Sequence, residues 1–144
     1  MRRLTRKRTE IHTVLAVDFD GTICELAYPD VGKVRYRAQY YINELYKKGF
    51  GIVINTCREG KALAKALDFL DDEGFLYDYY NANFPHLIEE YQADTRKISA
   101  DVYIDDKNLS VLTQGMPKWQ EIYRQLINQY DEEIRLQRYP KSSP

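Results

Sequence analysis

At 144 residues the chain is long enough to bury a real core but too short for two ordinary domains. Apolar residues at 44% and charged residues at 30% exclude a disordered chain, and no apolar run approaches the roughly 20 residues that cross a bilayer. Cys24 and Cys57 supply neither a disulfide framework nor a close metal-ligand pair, and no secretory signal follows the basic start of the chain, so a reduced, cytoplasmic setting with no membrane partner is expected.

Residues 1–10 carry Arg2, Arg3, Arg6, Lys7 and Arg8 against Glu10, a net of +4 that leaves −5 on the remaining 134 residues. The favoured reading of residues 1–12 is a solvated basic arm; contact with nucleic acid or an acidic partner is the alternative. The rest of the chain shows no basic stripe of the kind that nucleic-acid binding demands.

Thr13–Phe19 is a β-rich apolar run closing on acids, which predicts a buried parallel strand. Val34, Ala38, Tyr41, Ile42 and Leu45 fall at helical spacing, with Gly49 just past the end. Phe50–Asn55 predicts a second strand, and Leu63, Ala66, Leu67 and Leu70 a second helix ending at Gly74. Tyr77–Tyr80 predicts a third strand, Leu87, Ile88 and Tyr91 a short helix behind Pro85, and Asp101–Asp105 a fourth strand. Pro117 in a first turn, followed by Trp119, Ile122, Tyr123, Leu126, Ile127, Tyr130 and Ile134, predicts a long C-terminal helix. Residues 13–138 thus read as one domain and 139–144 as a tail. Strand and helix alternating at this cadence predict an α/β fold, a three-layer, doubly wound parallel sheet of Rossmann-like type.

In such folds ligands gather beyond the carboxyl ends of the strands, and here those ends carry reactive groups. Asp18 and Asp20 stand two apart at the first, where like charges resist joint ionisation unless a cation or partner relieves them. Mg²⁺, which takes carboxylate, carbonyl and phosphate oxygens, would do so. Gly21 permits the tight turn between them and the following Thr22. The second strand ends in Thr56, Cys57 and Arg58, where a hydroxyl and free N–H groups at a helix start suit a phosphate, although Thr56 as a simple N-cap serves equally well. Cys57 is better explained by packing than as a nucleophile, and Arg58 divides between a phosphate contact and a surface charge. Lys97 precedes the fourth strand, which ends in Asp105 and Asp106.

These four pieces, in this order, resemble the motifs of the haloacid dehalogenase (HAD) superfamily of phosphohydrolases. Asp18-Phe19-Asp20-Gly21-Thr22-Ile23 matches the first motif, Thr56 the second, Lys97 the third and Asp105-Asp106 the fourth. Thr56–Gly60 and Ile104–Asn108 are similar to segments of a short bacterial and phage-like group of unassigned substrate. The resemblance implies an HAD-like core with the first strand between the second and the fourth, bringing the four motifs to one pocket. It implies Asp18 as nucleophile, forming an aspartyl-phosphate, and Asp20 as acid and base, its backbone carbonyl also binding Mg²⁺. Thr56 and Lys97 would hold the phosphoryl oxygens, with Cys57, Arg58 and Asn108 as further phosphate or substrate contacts. Asp106 would bind the metal directly; Asp105 would bind through water or orient Lys97.

Members of the superfamily insert cap domains between the first and second motifs or between the second and third. Those intervals are 35 and 40 residues here, already filled by core elements, so no cap domain fits. Glu25–Lys33, with Tyr28, Pro29 and Gly32, is expected to form a short flap over an open site. The expected function is a Mg²⁺-dependent phosphatase acting on a phosphorylated substrate of unknown class. The alternatives are a catalytically silent phosphate-binding module on the same fold and a phosphotransferase. A phosphoacceptor receiver domain would need its acids and Thr in a different order. Tyr80-Asn81-Ala82-Asn83 is the candidate specificity segment, whereas His86 suits a surface or capping role.

Overall fold

The computed structural model describes residues 5–131. Four strands, β1 (Thr13–Asp18), β2 (Phe50–Asn55), β3 (Tyr79–Tyr80) and β4 (Val102–Ile104), form one sheet in the order β3-β2-β1-β4, every pair parallel. Between and after them run α1 (Ala38–Lys47), α2 (Gly60–Asp72), α3 (Pro85–Tyr91), α4 (Leu109–Gln114) and α5 (Trp119–Tyr130).

The strands lack polar alternation because both faces of the sheet are buried. Leu15, Val17, Ile52 and Ile54 face one side, packed with Ile42 and Leu45 of α1, Leu70 of α2 and Trp119 and Leu126 of α5. Val14, Ala16 and Val53 face the other, against Phe84, Ile98 and Leu87 of α3. This is the α/β, parallel-sheet, helix-flanked architecture of Rossmann-like folds. With β1 between β2 and β4, the ends of three strands converge on the same edge.

Several elements differ from expectation. Val34 is not helical; it pairs with Cys24 in an antiparallel bridge. The helix starts only at Ala38, because Arg37 takes a left-handed φ of 57°. The third strand pairs only at Tyr79 and Tyr80. Pro117 lies ahead of α5, whose N-cap is Lys118, and its carbonyl accepts from Arg35 Nη2 at 2.8 Å. Helix α4 was not expected at all. Ile134, the end of the expected domain and the tail at 139–144 lie outside the described residues, as do Arg2 and Arg3.

The basic arm is not simply solvated. The Arg6 guanidinium donates to both oxygens of Asp78 and to the carbonyls of Tyr46 and Phe50, all at 2.6–2.8 Å, and lies 3.5 Å from the centre of the Tyr46 ring. A charge-assisted fork of this kind anchors the arm to the body. Among the described residues, no helix is long and apolar enough to cross a membrane.

Candidate functional site

β1 ends in a tight turn: the Phe19 carbonyl accepts the N–H groups of Thr22 and Ile23 at 3.2 and 2.9 Å. Gly21 sits in it with φ +82°, and a Cβ there would lie 2.0 Å from Asp106 Oδ2. Only glycine satisfies both the left-handed backbone and the closeness of the carboxylate. The buried Thr22 hydroxyl links two strand ends, accepting from the Asp106 N–H at 3.0 Å and donating to Asp18 Oδ2 at 3.0 Å. The Thr22 carbonyl is held from below by the Trp119 indole N–H at 2.9 Å. Helix α5 therefore braces the turn that aims the acids.

Asp18, Asp105 and Asp106 each offer one oxygen, and these oxygens lie within 4.8 Å of one another. Burial first, then the charge of Asp105, with a smaller contribution from Asp106, pushes the Asp18 carboxyl up to about 7, against an opposing hydrogen bond from Thr22. Asp106 Oδ1 is buried with no hydrogen-bond partner among the described residues. An orphaned carboxylate oxygen in a cluster of like charges is costly, and a hard divalent cation on oxygen ligands is what such a donor set fits. The residues present thus suit Mg²⁺.

A cavity of about 320 Å³ opens over this cluster, lined by Asp18, Asp20, Leu26, Tyr28, Thr56, Cys57, Arg58, Asp105, Asp106 and Lys107. Seven of the nine expected site residues are among them. Lys97 is not: it is exposed, with its ammonium 4.8 Å from the centre of the Tyr103 ring. Asn108 is not either; it stands at the N-cap position of α4 without a side-chain capping bond and lines a second cavity between β4, α4 and α5.

Arg58 is where the structure departs furthest from the expected phosphate contact. Its side chain is buried, 2% exposed for the residue. Nε and Nη2 donate to Asp20 Oδ2 and Oδ1, both at 2.8 Å. Nη1 donates to the carbonyls of Pro29 and Ala62 at 2.9 Å, and Nη2 also to that of Asp30 at 2.7 Å. Those five bonds use all five guanidinium donors. Arg58 therefore binds no phosphate in this arrangement; it ties Asp20 to the flap.

The flap itself closes through the Glu25 N–H on the Lys33 carbonyl at 2.8 Å. Gly32 lets its arms approach, since a Cβ there would be 2.0 Å from the Glu25 carbonyl oxygen.

Thr56 is not an N-cap, because α2 begins at Gly60 behind Glu59. Its hydroxyl instead accepts the Arg58 N–H at 3.1 Å, and its backbone is clasped by the Asn81 side chain at 2.8 and 2.9 Å. This occupies one expected specificity residue, and Asn83 is buried holding Asp94, Thr95 and Ser99. Cys57 is exposed at the rim. Sequence reasoning missed the linking role of Thr22 and the presence of Lys107, whose ammonium is 3.9 Å from Asp106 Oδ2. It also missed Leu26 as a wall of the cavity. The signal for Lys107 was its place directly after the paired acids.

A solved structure described as that of a conserved protein coded by a locus from Bacteroides thetaiotaomicron superposes on this one with a TM-score of 0.67 at 30% identity, covering 90% of this chain and 93% of that one. The chain belongs to the same family as that protein. No protein-family model and no curated protein matches it.

Proposed function

We propose that this protein is a Mg²⁺-dependent phosphohydrolase of HAD-like type, without a cap domain, working through an aspartyl-phosphate on Asp18. The observation that carries the reading is the convergence of Asp18, Asp105 and Asp106 under one cavity, with the unpartnered Asp106 oxygen among them. Asp106, Asp18 and the Asp20 carbonyl would hold the metal, with Asp105 beside them. Bound there, Mg²⁺ neutralises the clustered charge and that of an arriving phosphate.

The Asp18 oxygen not engaged by Thr22 attacks phosphorus in line, and the bond to the leaving oxygen breaks as Asp20 gives that oxygen a proton. Asp20 then takes a proton from the water that attacks the aspartyl-phosphate, releasing inorganic phosphate and restoring Asp18. The Arg58 fork fixes the Asp20 carboxyl while leaving each of its oxygens a free lone pair for that proton. Thr56 holds a phosphoryl oxygen, and Lys97 joins it by swinging off Tyr103, supplying positive charge where the transition state needs it.

Hydrolysis of p-nitrophenyl phosphate with Mg²⁺, in EDTA, and by Asp18→Asn tests the proposal. Turnover that requires both Mg²⁺ and Asp18 upholds it; turnover surviving in Asp18→Asn overturns it. A second reading is a catalytically silent phosphate-binding module, favoured by both Asp20 oxygens accepting from Arg58 and by the position of Lys97. Binding of Mg²⁺ and phosphate without turnover would establish that reading instead.

A further inference from the structure

Two large apolar side chains stand exposed at the mouth of the acid cavity. Leu26 is 65% and Tyr28 63% exposed, and both belong to the flap and line the same cavity as Asp18 and Asp106. One exposed apolar residue on a surface is ordinary. Two on one short flap, turned to the cavity of the acids, are not explained by the contacts that hold the flap in place, which are mainly hydrogen bonds and an ion pair. Arg58 holds the carbonyls of Pro29 and Asp30, Glu25 holds Lys33, and Lys65 pairs with the Asp30 carboxylate at 3.0 Å.

Tyr28 is backed as well as exposed. The Arg58 guanidinium lies over its ring, 5.1 Å from the centroid, and the same guanidinium fixes the next two carbonyls in the chain. A cation bonded in five directions thus supports one side of the ring, while most of the ring stays open. An aromatic surface held this firmly loses little freedom when a ligand stacks on it. The cavity, at about 320 Å³, has the size of a small-ligand site.

We propose that Tyr28, flanked by Leu26, is the platform for the leaving group, and that the substrate is a small phosphate monoester whose leaving group carries a planar ring, as in a nucleoside monophosphate. This rests on the phosphohydrolase reading above. The phosphate meets the acids at the strand ends while the ring stacks on the flap.

The test compares benzyl phosphate, a nucleoside 5′-monophosphate and n-butyl phosphate, all esters of alkyl alcohols, with wild type, Tyr28→Ala and Tyr28→Trp in Mg²⁺. Wild type should favour the two ring-bearing esters in KM. Tyr28→Ala should erase that preference, raising their KM relative to n-butyl phosphate by roughly 5- to 150-fold, the range of one stacked base. Tyr28→Trp should keep it. Equal KM values in wild type, or a preference that survives Tyr28→Ala, overturns the platform. If wild type turns over no ester, the phosphohydrolase reading fails, and calorimetric binding of benzyl- and n-butylphosphonate then decides the platform alone. Tighter binding of the benzyl compound that is lost in Tyr28→Ala upholds it, and equal or undetectable binding overturns it.

Discussion

Removing the metal should expose the cost of the acidic cluster, and Asp18→Asn should relieve it. The Asp18 carboxyl is carried from 3.8 to about 7 by burial and by the charges of Asp105 and Asp106. Its folded form therefore binds a proton more tightly than its unfolded form. The contribution of this group to stability is fully present below about 4 and is lost as the pH rises through 7, where the folded chain must hold a charge it resists. At full strength the shift would correspond to about 4 kcal/mol; solvent reaching the half-buried group reduces this to about 2 kcal/mol. For a domain of this size that is roughly 6 °C in Tm. In EDTA, Asp18→Asn should melt above wild type by that amount at pH 8, and the two should converge near pH 4. Mg²⁺ should restore wild type at pH 8 and do far less for the variant, since binding to the folded state alone adds stability by mass action. Thermal melts by circular dichroism across pH, with and without Mg²⁺, measure all of this. If wild type in EDTA were as stable as Asp18→Asn at pH 8, the three acids would not be strained and the argument for a cation among them would fall.

Arg58→Ala should cost about 3–5 kcal/mol, as expected when one partner of a buried ion pair is removed; urea unfolding reads it, and a loss below about 1 kcal/mol would mean the fork to Asp20 is dispensable. Gly21→Ala should cost about 3 kcal/mol from its left-handed backbone and the overlap with Asp106, with the Mg²⁺-induced rise in Tm lost even where the variant still folds. Lys97→Ala should lower kcat/KM for p-nitrophenyl phosphate by about 10²–10³-fold, the scale of a lost transition-state contact, and Lys107→Ala by less than tenfold; the reverse order would assign the phosphoryl contact to Lys107.

The interior strands were legible because Thr13–Asp18 and Phe50–Asn55 are continuous apolar runs, which only burial on both faces explains. The site was legible to the extent that strand ends announce themselves by acids. What was hidden depended on contacts distant in sequence or made by backbone. Arg58 takes its partners from Asp20, Pro29, Asp30 and Ala62, three of them carbonyls that no side-chain type encodes. Arg6 finds Asp78 at a separation of 72 residues, so the arm read as free charge. Helix α4 escaped because its 6 residues make fewer than two turns, too few for a helical period to show, and its leucines do not mark a core face: Leu109 and Leu112 are 81% and 78% exposed. Val34 was placed in a helix because apolar spacing ran on through Arg37, and spacing does not register a left-handed residue that breaks the helical path. The direction of a long side chain is likewise invisible in sequence, which is why Lys97 was expected among the acids and stands over Tyr103.

The sheet's two borders have a consequence of their own. The long strands are both inside, while the outer ones pair over only two residues at β3 and three at β4. An unpaired border is a template on which another chain can grow by backbone hydrogen bonds, and short border strands are one way proteins limit such growth. With so few residues on offer at either side, a passing extended segment gains too few bonds to lodge there. An open sheet can thus stay discrete at high concentration without closing into a barrel, and insertions that lengthen β3 or β4 would be where that protection is first given up.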